Sequence, residues 1–146
     1  MKELTEKRLL IGLITLNLLF IFGNSLLPAE ISAAISGKVK AFLALLFPLD
    51  GAANGDTGHG LLRKAAHFAE FACLGFLLLR CFRTFRIPKP LLPALLCAFL
   101  AACIDETLQL FSLGRAASVW DVLLDSFGAL SGIAVACISL LRQKRT

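Results

Sequence analysis

Charged residues are scarce in this sequence. Asp, Glu, Lys and Arg make up 17% of the 146 residues, whereas a soluble domain carries about 25%. Hydrophobic residues reach 58%, and the mean hydropathy is +0.80. The chain also lacks the alternation of apolar and polar residues that a transmembrane β-barrel requires. The composition is therefore typical of a helical membrane protein.

Cysteine usage argues against two further classes of protein. The chain has five cysteines, an odd number, with no CxxC pair, and all five fall within predicted helices. Disulfide frameworks and zinc sites both need characteristic cysteine numbers and spacings, so neither is predicted. The sequence also lacks an internal repeat and a low-complexity tract.

Four apolar stretches are long enough to cross a bilayer, which takes roughly 20 residues of helix. The predicted spans are 8–27, 61–81, 90–110 and 119–141, in a single domain covering 1–146. In the first connection, residues 30–46 have helical composition and are predicted to form an amphipathic helix at the membrane interface, while the glycine-rich residues 51–60 are predicted to form a loop. The predicted fold class is an all-α membrane protein, a bundle of about four transmembrane helices.

The positive charges predict an orientation. Of the fifteen Lys and Arg residues, most fall at the N-terminus, in the connection between the second and third spans, and at the C-terminus. Positively charged connections stay in the cytoplasm, so we expect a multi-pass protein with both termini cytoplasmic. The net charge of +5 then needs no nucleic-acid partner, because orientation and attraction to anionic membrane lipid account for it.

Polar side chains interrupt three of the four spans near their predicted outer ends. Charged groups inside a bilayer cost several kcal/mol and are usually functional or paired. At a rise of about 1.5 Å per residue, the polar residues of the three spans lie at similar depths in the membrane. This match predicts a polar pocket open to the outer leaflet. The candidate site residues are Lys64, His67, Glu70, Asp105, Glu106, Gln109, Arg115, Asp121 and Asp125.

Three kinds of chemistry fit these residue types. In hydrolysis or group transfer, His67 acts as general acid or base and Arg115 or Lys64 holds an anionic headgroup. The predicted catalytic residues are His67, Glu70, Asp105, Glu106 and Asp121, and the predicted ligand-binding residues are Lys64, Gln109, Arg115 and Asp125. A divalent cation also suits histidine with carboxylates, although the spacing matches no strict metal motif. A proton or ion relay is the third possibility, but the other half of the helices offers almost no polar groups.

The alternative is a purely structural role for the same residues. Acids and bases near helix ends pair to hold a bundle together, and Glu70 with Lys64 or Arg63 is such an expected pair. Close packing beneath the polar residues is predicted from Gly128 and Gly132, which form a GxxxG motif. Small residues of the third span continue this pattern at Ala98, Ala101 and Ala102.

Three segments carry a resemblance to the VanZ-like family. Residues 63–75 (RKAAHFAEFACLG) resemble its KxxHfxeyaxLG signature, residues 104–115 (IDETLQLFSLGR) resemble DExxQxfxpgR, and residues 118–129 (SVWDVLLDSFGA) resemble DvlxnxxGa. The ending of the first span, at Asn24, Ser25 and Pro28, is also similar. Phe71 stands where the family often has tyrosine, and Leu113 stands where proline is common.

The resemblance implies a small membrane protein of the bacterial envelope. The family's namesake is associated with low-level resistance to teicoplanin, a lipidated glycopeptide antibiotic. Implied partners are membrane lipid and a lipid-linked envelope molecule or lipoglycopeptide. The leading hypothesis is an outward-facing pocket that binds or processes a lipid-linked or amphiphilic anionic molecule in the bacterial plasma membrane. The competing hypothesis is a non-catalytic structural or interaction protein.

Overall fold

The structure, a computed structural model, describes residues 2–46 and 57–143. Within these residues there are five α-helices and no strand, which confirms the predicted all-α class. The helices are α1 (Lys2–Leu26), α2 (Ala29–Leu46), α3 (Thr57–Thr84), α4 (Leu91–Gln109) and α5 (Val119–Gln143). Among them, α1, α3, α4 and α5 are long and apolar enough to cross a membrane, as predicted for four spans. The chain is a multi-pass membrane protein.

The first connection differs in part from its prediction. Helix α2 confirms the helical character expected for residues 30–46, while its position at the interface stays a prediction. Helix α3 begins at Thr57, so the end of the predicted loop 51–60 is helical, and residues 51–56 lie outside the described residues. A glycine costs a helix only about 0.5–1 kcal/mol relative to alanine, which the long helix that continues from Leu61 tolerates in its first turn.

Two short connections meet at one end of the bundle. Helix α1 stops before Leu27 because the residue preceding a proline is disfavoured in helical conformation, and α2 follows directly after Pro28. The Ala29 N–H donates a hydrogen bond to the Leu113 carbonyl at 3.0 Å. Gly114 has φ +73°, and a Cβ there would lie 3.2 Å from the Ala29 Cβ. Glycine is therefore the residue that fits where the connections touch.

Glycines allow α3 and α5 to pack closely, and among the described helices these two share the most extensive contact. A Cβ added at Gly128 or Gly132 of α5 would overlap backbone atoms of α3, and one at Gly75 of α3 would overlap the Ala129 backbone. Helices approach this closely only where small residues face each other. The close packing predicted from the GxxxG motif is thus confirmed.

Large apolar side chains lie on the outer surface of the bundle as well as in its core. On α1, Leu16 and Leu19 are 64% and 66% exposed, which suits a helix that faces lipid. The core contains Ile21, Phe71 and Ile133 together with small residues. From α4 these are the buried alanines Ala94, Ala98, Ala101 and Ala102.

An ion pair and a cation–π contact mark the opposite end of the bundle. The Arg80 guanidinium lies 3.6 Å from a Glu6 carboxylate oxygen, and the Lys7 ammonium lies 5.3 Å from the centre of the Phe85 ring. The start of α1 and the end of α3 therefore share one end. The polar residues of the candidate site lie at the other, while the membrane face to which each end belongs stays a prediction.

Candidate functional site

Polar side chains from three helices converge inside the bundle. His67 comes from the first half of α3, Asp105 from the last part of α4, and Asp125 from the second turn of α5. Each offers one potential ligand atom, and these atoms all lie within 4.8 Å of one another. The structure therefore brings together residues whose matching depth in the sequence predicted that they would meet.

Asp105 is the most deeply buried of these residues, with no exposed surface. Its Oδ2 accepts hydrogen bonds from Ser25 Oγ at 2.8 Å and Gln109 Nε2 at 3.2 Å. His67 Nδ1 lies 3.8 Å from the same oxygen, an electrostatic contact that is too long for a hydrogen bond. Among the described residues, Oδ1 has no hydrogen-bond partner. One carboxylate oxygen is thus held by the protein and the other is left free to bind.

Glu70 lies one turn after His67 on α3. Its Oε1 accepts a hydrogen bond from Asn24 Nδ2 at 3.0 Å, and its Oε2 lies 3.9 Å from His67 Nδ1. Neither Oε2 nor His67 Nδ1 has a hydrogen-bond partner in the described part of the chain. Glu70 and His67 are thus neighbours, and each has one buried polar atom without a hydrogen-bond partner among the described residues.

The pair expected between Glu70 and Lys64 or Arg63 does not form. Lys64 Nζ instead bonds Asp121 Oδ1 at 2.7 Å, while Glu70 bonds Asn24. Positions 64 and 70 point about 120° apart around a helix of 3.6 residues per turn, and position 63 is about 10 Å from position 70 along the axis. Helix geometry therefore separates these groups, although the sequence brings them near each other.

Glu106 connects the end of α4 to the start of α5. Its Oε2 accepts a hydrogen bond from the Ser118 backbone N–H at 2.7 Å, and its Oε1 accepts one from Gln109 Nε2 at 2.8 Å. Ser118 directly precedes α5. Glu106 therefore positions the first turn of α5, and a chemical role for it stays a prediction.

Arg115 supplies a fixed positive charge beside these acids. Its Nη2 donates to the Asn24 carbonyl at 3.1 Å, while Nε and Nη1 are buried and have no partner among residues 2–46 and 57–143. Burial, and then the nearby Arg63, lower the pKa of the Arg115 guanidinium from its ordinary value. That ordinary value is so high that the group keeps its proton at neutral pH. Two nitrogens of the charged guanidinium, Nε and Nη1, are thus available as donors to an acceptor.

A cavity of about 100 Å³ adjoins Arg115 and His67. A single water needs only about 10–15 Å³ of such space, so the cavity has room for several waters or part of a lipid headgroup. A second space of about 10 Å³ lies on another side of His67, against Asp121 and Asp125. The polar residues lining the larger cavity are Asn24, Ser32, Ser36, Arg63, His67, Glu70 and Arg115.

Besides Arg63, which lines both spaces, four polar residues join the site without having been assigned to it from the sequence. Asn24 and Ser25 hydrogen-bond Glu70 and Asp105, and the signal for them is their position at the end of an otherwise apolar span. The other two, Ser32 and Ser36, lie four residues apart on α2, a spacing that places them on one face of a helix.

The fold and the site together define a multi-pass membrane protein with a buried polar cluster at one end of its bundle. The model of the VanZ/LLP1 family matches residues 9–141, nearly the whole chain. The chain therefore belongs to the VanZ/LLP1 family, as its three motifs indicated, and each motif contributes residues to the polar cluster. Neither the curated proteins nor the solved structures give a match to the chain.

Proposed function

We propose that the 100 Å³ cavity binds the anionic headgroup of a membrane amphiphile. The observation that carries this proposal is Arg115, whose buried Nε and Nη1 have no partner within the described residues and whose side chain lines the cavity. A guanidinium presents paired N–H donors that match a phosphate or carboxylate. Arg63 lines the same cavity and adds a second positive charge.

The other residues that line the cavity limit which headgroups would bind there. Glu70 Oε2 is an acceptor without a hydrogen-bond partner among the described residues, and it would repel a second anionic group. A hydroxyl of the ligand would instead donate to it. The hydroxyls of Ser32 and Ser36 lie in the same lining and can donate or accept. The headgroup that fits best therefore combines one anionic group with one or more hydroxyls, as in a phosphoglycerol or a sugar phosphate.

The apolar surroundings supply a place for the tail of such a molecule. Exposed leucines and phenylalanines cover the flanks of the membrane-spanning helices, so an acyl or prenyl chain would remain in lipid while its headgroup enters the cavity. By the distribution of positive charges, the cavity opens to the outer leaflet of a bacterial plasma membrane. The amphiphile would then be a lipid-linked molecule of the envelope, and its binding would change glycopeptide susceptibility, including susceptibility to teicoplanin.

Native mass spectrometry of the detergent-purified full chain tests the headgroup directly. Phosphatidylglycerol carries a phosphate and two free hydroxyls, whereas phosphatidylcholine carries a neutralising choline. We expect the wild type to prefer phosphatidylglycerol and Arg115→Gln to bind it at least tenfold more weakly, since a hydrogen bond to a charged group contributes about 1.5–3 kcal/mol.

The matched control is Arg83→Gln. Arg83 is an exposed arginine in the last turn of α3, at the opposite end of the bundle, so its loss removes the same charge from a different place. Binding that falls equally in both variants would reflect net charge alone and would contradict the proposal. Equal binding of the two lipids by the wild type would also contradict it.

A structural role is the second candidate, and one contact favours it. The 2.7 Å pair between Lys64 and Asp121 joins α3 to α5, as expected of a network that holds a bundle together. On this account Arg115→Gln lowers the free energy of unfolding equally with and without phosphatidylglycerol. The headgroup proposal instead predicts that the lipid stabilises the wild type and loses that effect in the variant.

A further inference from the structure

His67, Asp105 and Asp125 have the arrangement of a metal site. Their potential ligand atoms lie within 4.8 Å of one another and come from three different helices. We propose that these three side chains bind one divalent first-row transition-metal ion, with Zn²⁺ and Mn²⁺ as suitable probes. The proposal does not rest on headgroup binding, because the metal would be held by these three side chains and not by Arg115, although His67 also lines the cavity beside Arg115.

Burial and unpaired atoms distinguish this cluster from an ordinary group of acids. The exposed fractions of His67, Asp105 and Asp125 are 8%, 0% and 2%. In the described part of the chain, His67 Nδ1 and Asp105 Oδ1 have no hydrogen-bond partner. A buried polar atom without a partner destabilises the folded protein, because it has lost its hydrogen bonds to water. A metal ion would give these atoms a partner.

The charge balance of the cluster also favours a cation. The site holds more acids than bases: Glu70, Asp105, Glu106, Asp121 and Asp125 against Arg63, Lys64 and Arg115. Lys64 is half exposed and already bonded to an acid of α5. Acidic side chains held this close repel one another when ionised. A bound divalent ion would offset that repulsion.

Neighbouring side chains hold one ligand in place. Ser25 Oγ and Gln109 Nε2 both donate to Asp105 Oδ2, so the carboxylate is fixed by one oxygen while Oδ1 remains available. Outer hydrogen bonds of this kind orient ligands in metal sites and typically change affinity by 10- to 100-fold when removed. Ser25 is thus a positioning residue for the proposed ion.

The ligand set selects the class of metal. One imidazole nitrogen and two carboxylates suit zinc or manganese, whereas calcium takes six to eight oxygen ligands. Three protein ligands also leave a coordination position open. The adjoining small space against His67 and Asp125 has room for about one water, which would complete the coordination.

Metal titration of the chelator-stripped full chain in detergent tests the site. Electron paramagnetic resonance of added Mn²⁺ counts bound ions, and the electron spin-echo modulation from a directly bound imidazole nitrogen identifies the histidine. We expect one Mn²⁺ per chain, at least tenfold weaker binding in Asp125→Asn and His67→Gln, and loss of the nitrogen modulation in the histidine variant. Zn²⁺ should displace the bound Mn²⁺.

The control is Glu6→Gln, which removes an acid that pairs with Arg80 at the other end of the bundle and should leave the titration unchanged. Ser25→Ala, which keeps all three ligands, should weaken binding less than either ligand variant, and circular dichroism verifies that each variant is folded. Absence of Mn²⁺ binding by the folded wild type would overturn the proposal, as would undiminished binding by both folded ligand variants. The titration contains no anionic lipid, so its failure is separable from failure of headgroup binding.

Discussion

The contact between α3 and α5 supports the polar cluster, and Gly132→Ala tests it. A Cβ placed at Gly132 lies 2.6 Å from the Ala72 carbonyl carbon and 3.0 Å from its Cα, whereas ordinary contacts begin near 3.4 Å. The Ala72 carbonyl oxygen lies nearer still, so the two helices must separate by more than about 0.8 Å to accept one methyl group. Overpacking of this kind typically costs about 1–3 kcal/mol, and we expect the free energy of unfolding to fall by that amount.

The assay is reversible unfolding in mixed detergent micelles, followed by circular dichroism and compared with Gly12→Ala. A Cβ at Gly12 of α1 has no atom within 4 Å, and alanine is the better helix former by roughly 0.5–1 kcal/mol. The control should thus be neutral or slightly stabilised. Equal effects of the two substitutions would refute the close approach of α3 to α5. They would also refute the helix packing that holds the polar cluster together.

Three further substitutions probe individual contacts by the same unfolding measurement. Ser25→Ala removes a hydrogen bond to the buried carboxylate of α4 and should cost about 1.5–3 kcal/mol; a loss below 0.5 kcal/mol would contradict its buried geometry. Gly114→Ala forces a side chain into a left-handed conformation against Ala29 and should cost about 1–3 kcal/mol, an expectation that wild-type stability would refute. Lys64→Gln removes a half-exposed ion pair and should cost no more than about 1 kcal/mol; a larger loss would show that the pair holds the bundle together.

The bundle could be predicted from the sequence because the bilayer allows few solutions. An apolar run of about 20 residues has to form a helix in lipid, since each backbone polar group must be bonded within its own segment. Predicted ends at Arg8 and Cys81 nevertheless fell short of helices that begin at Lys2 and end at Thr84. Helices continue into the polar layers beyond the hydrocarbon, where hydropathy no longer marks their ends.

The residues of the site could be predicted where their depth in the membrane follows from their position along a helix. His67, Asp105 and Asp125 interrupt apolar spans at similar distances from one end, and the structure joins them. The pairing of side chains was less predictable. The partner of Glu70 is Asn24 of α1 rather than a base on its own helix, because distant parts of the chain decide which groups face each other.

The contribution of α2 could not be obtained from spacing alone. Ser32 and Ser36 are ordinary residues for a helix surface, and they become part of the cavity because α2 contacts α3. The hydrogen bonding of Arg115 could not be predicted from the sequence either. Its charge and its motif were evident in the sequence, but its two unpartnered donors follow from the way its connection folds over the end of α1.

The central claim is that Arg115 contacts an anionic headgroup within the bundle, and solid-state NMR measures that contact most directly. In bilayers of phosphatidylglycerol and phosphatidylcholine, dipolar recoupling between the headgroup phosphorus and isotope-labelled arginine side-chain nitrogens reports their proximity. The account predicts a dephased guanidinium signal that disappears in Arg115→Lys and persists in Arg83→Lys. A signal without dephasing in the wild type, or one unchanged by Arg115→Lys, would contradict it.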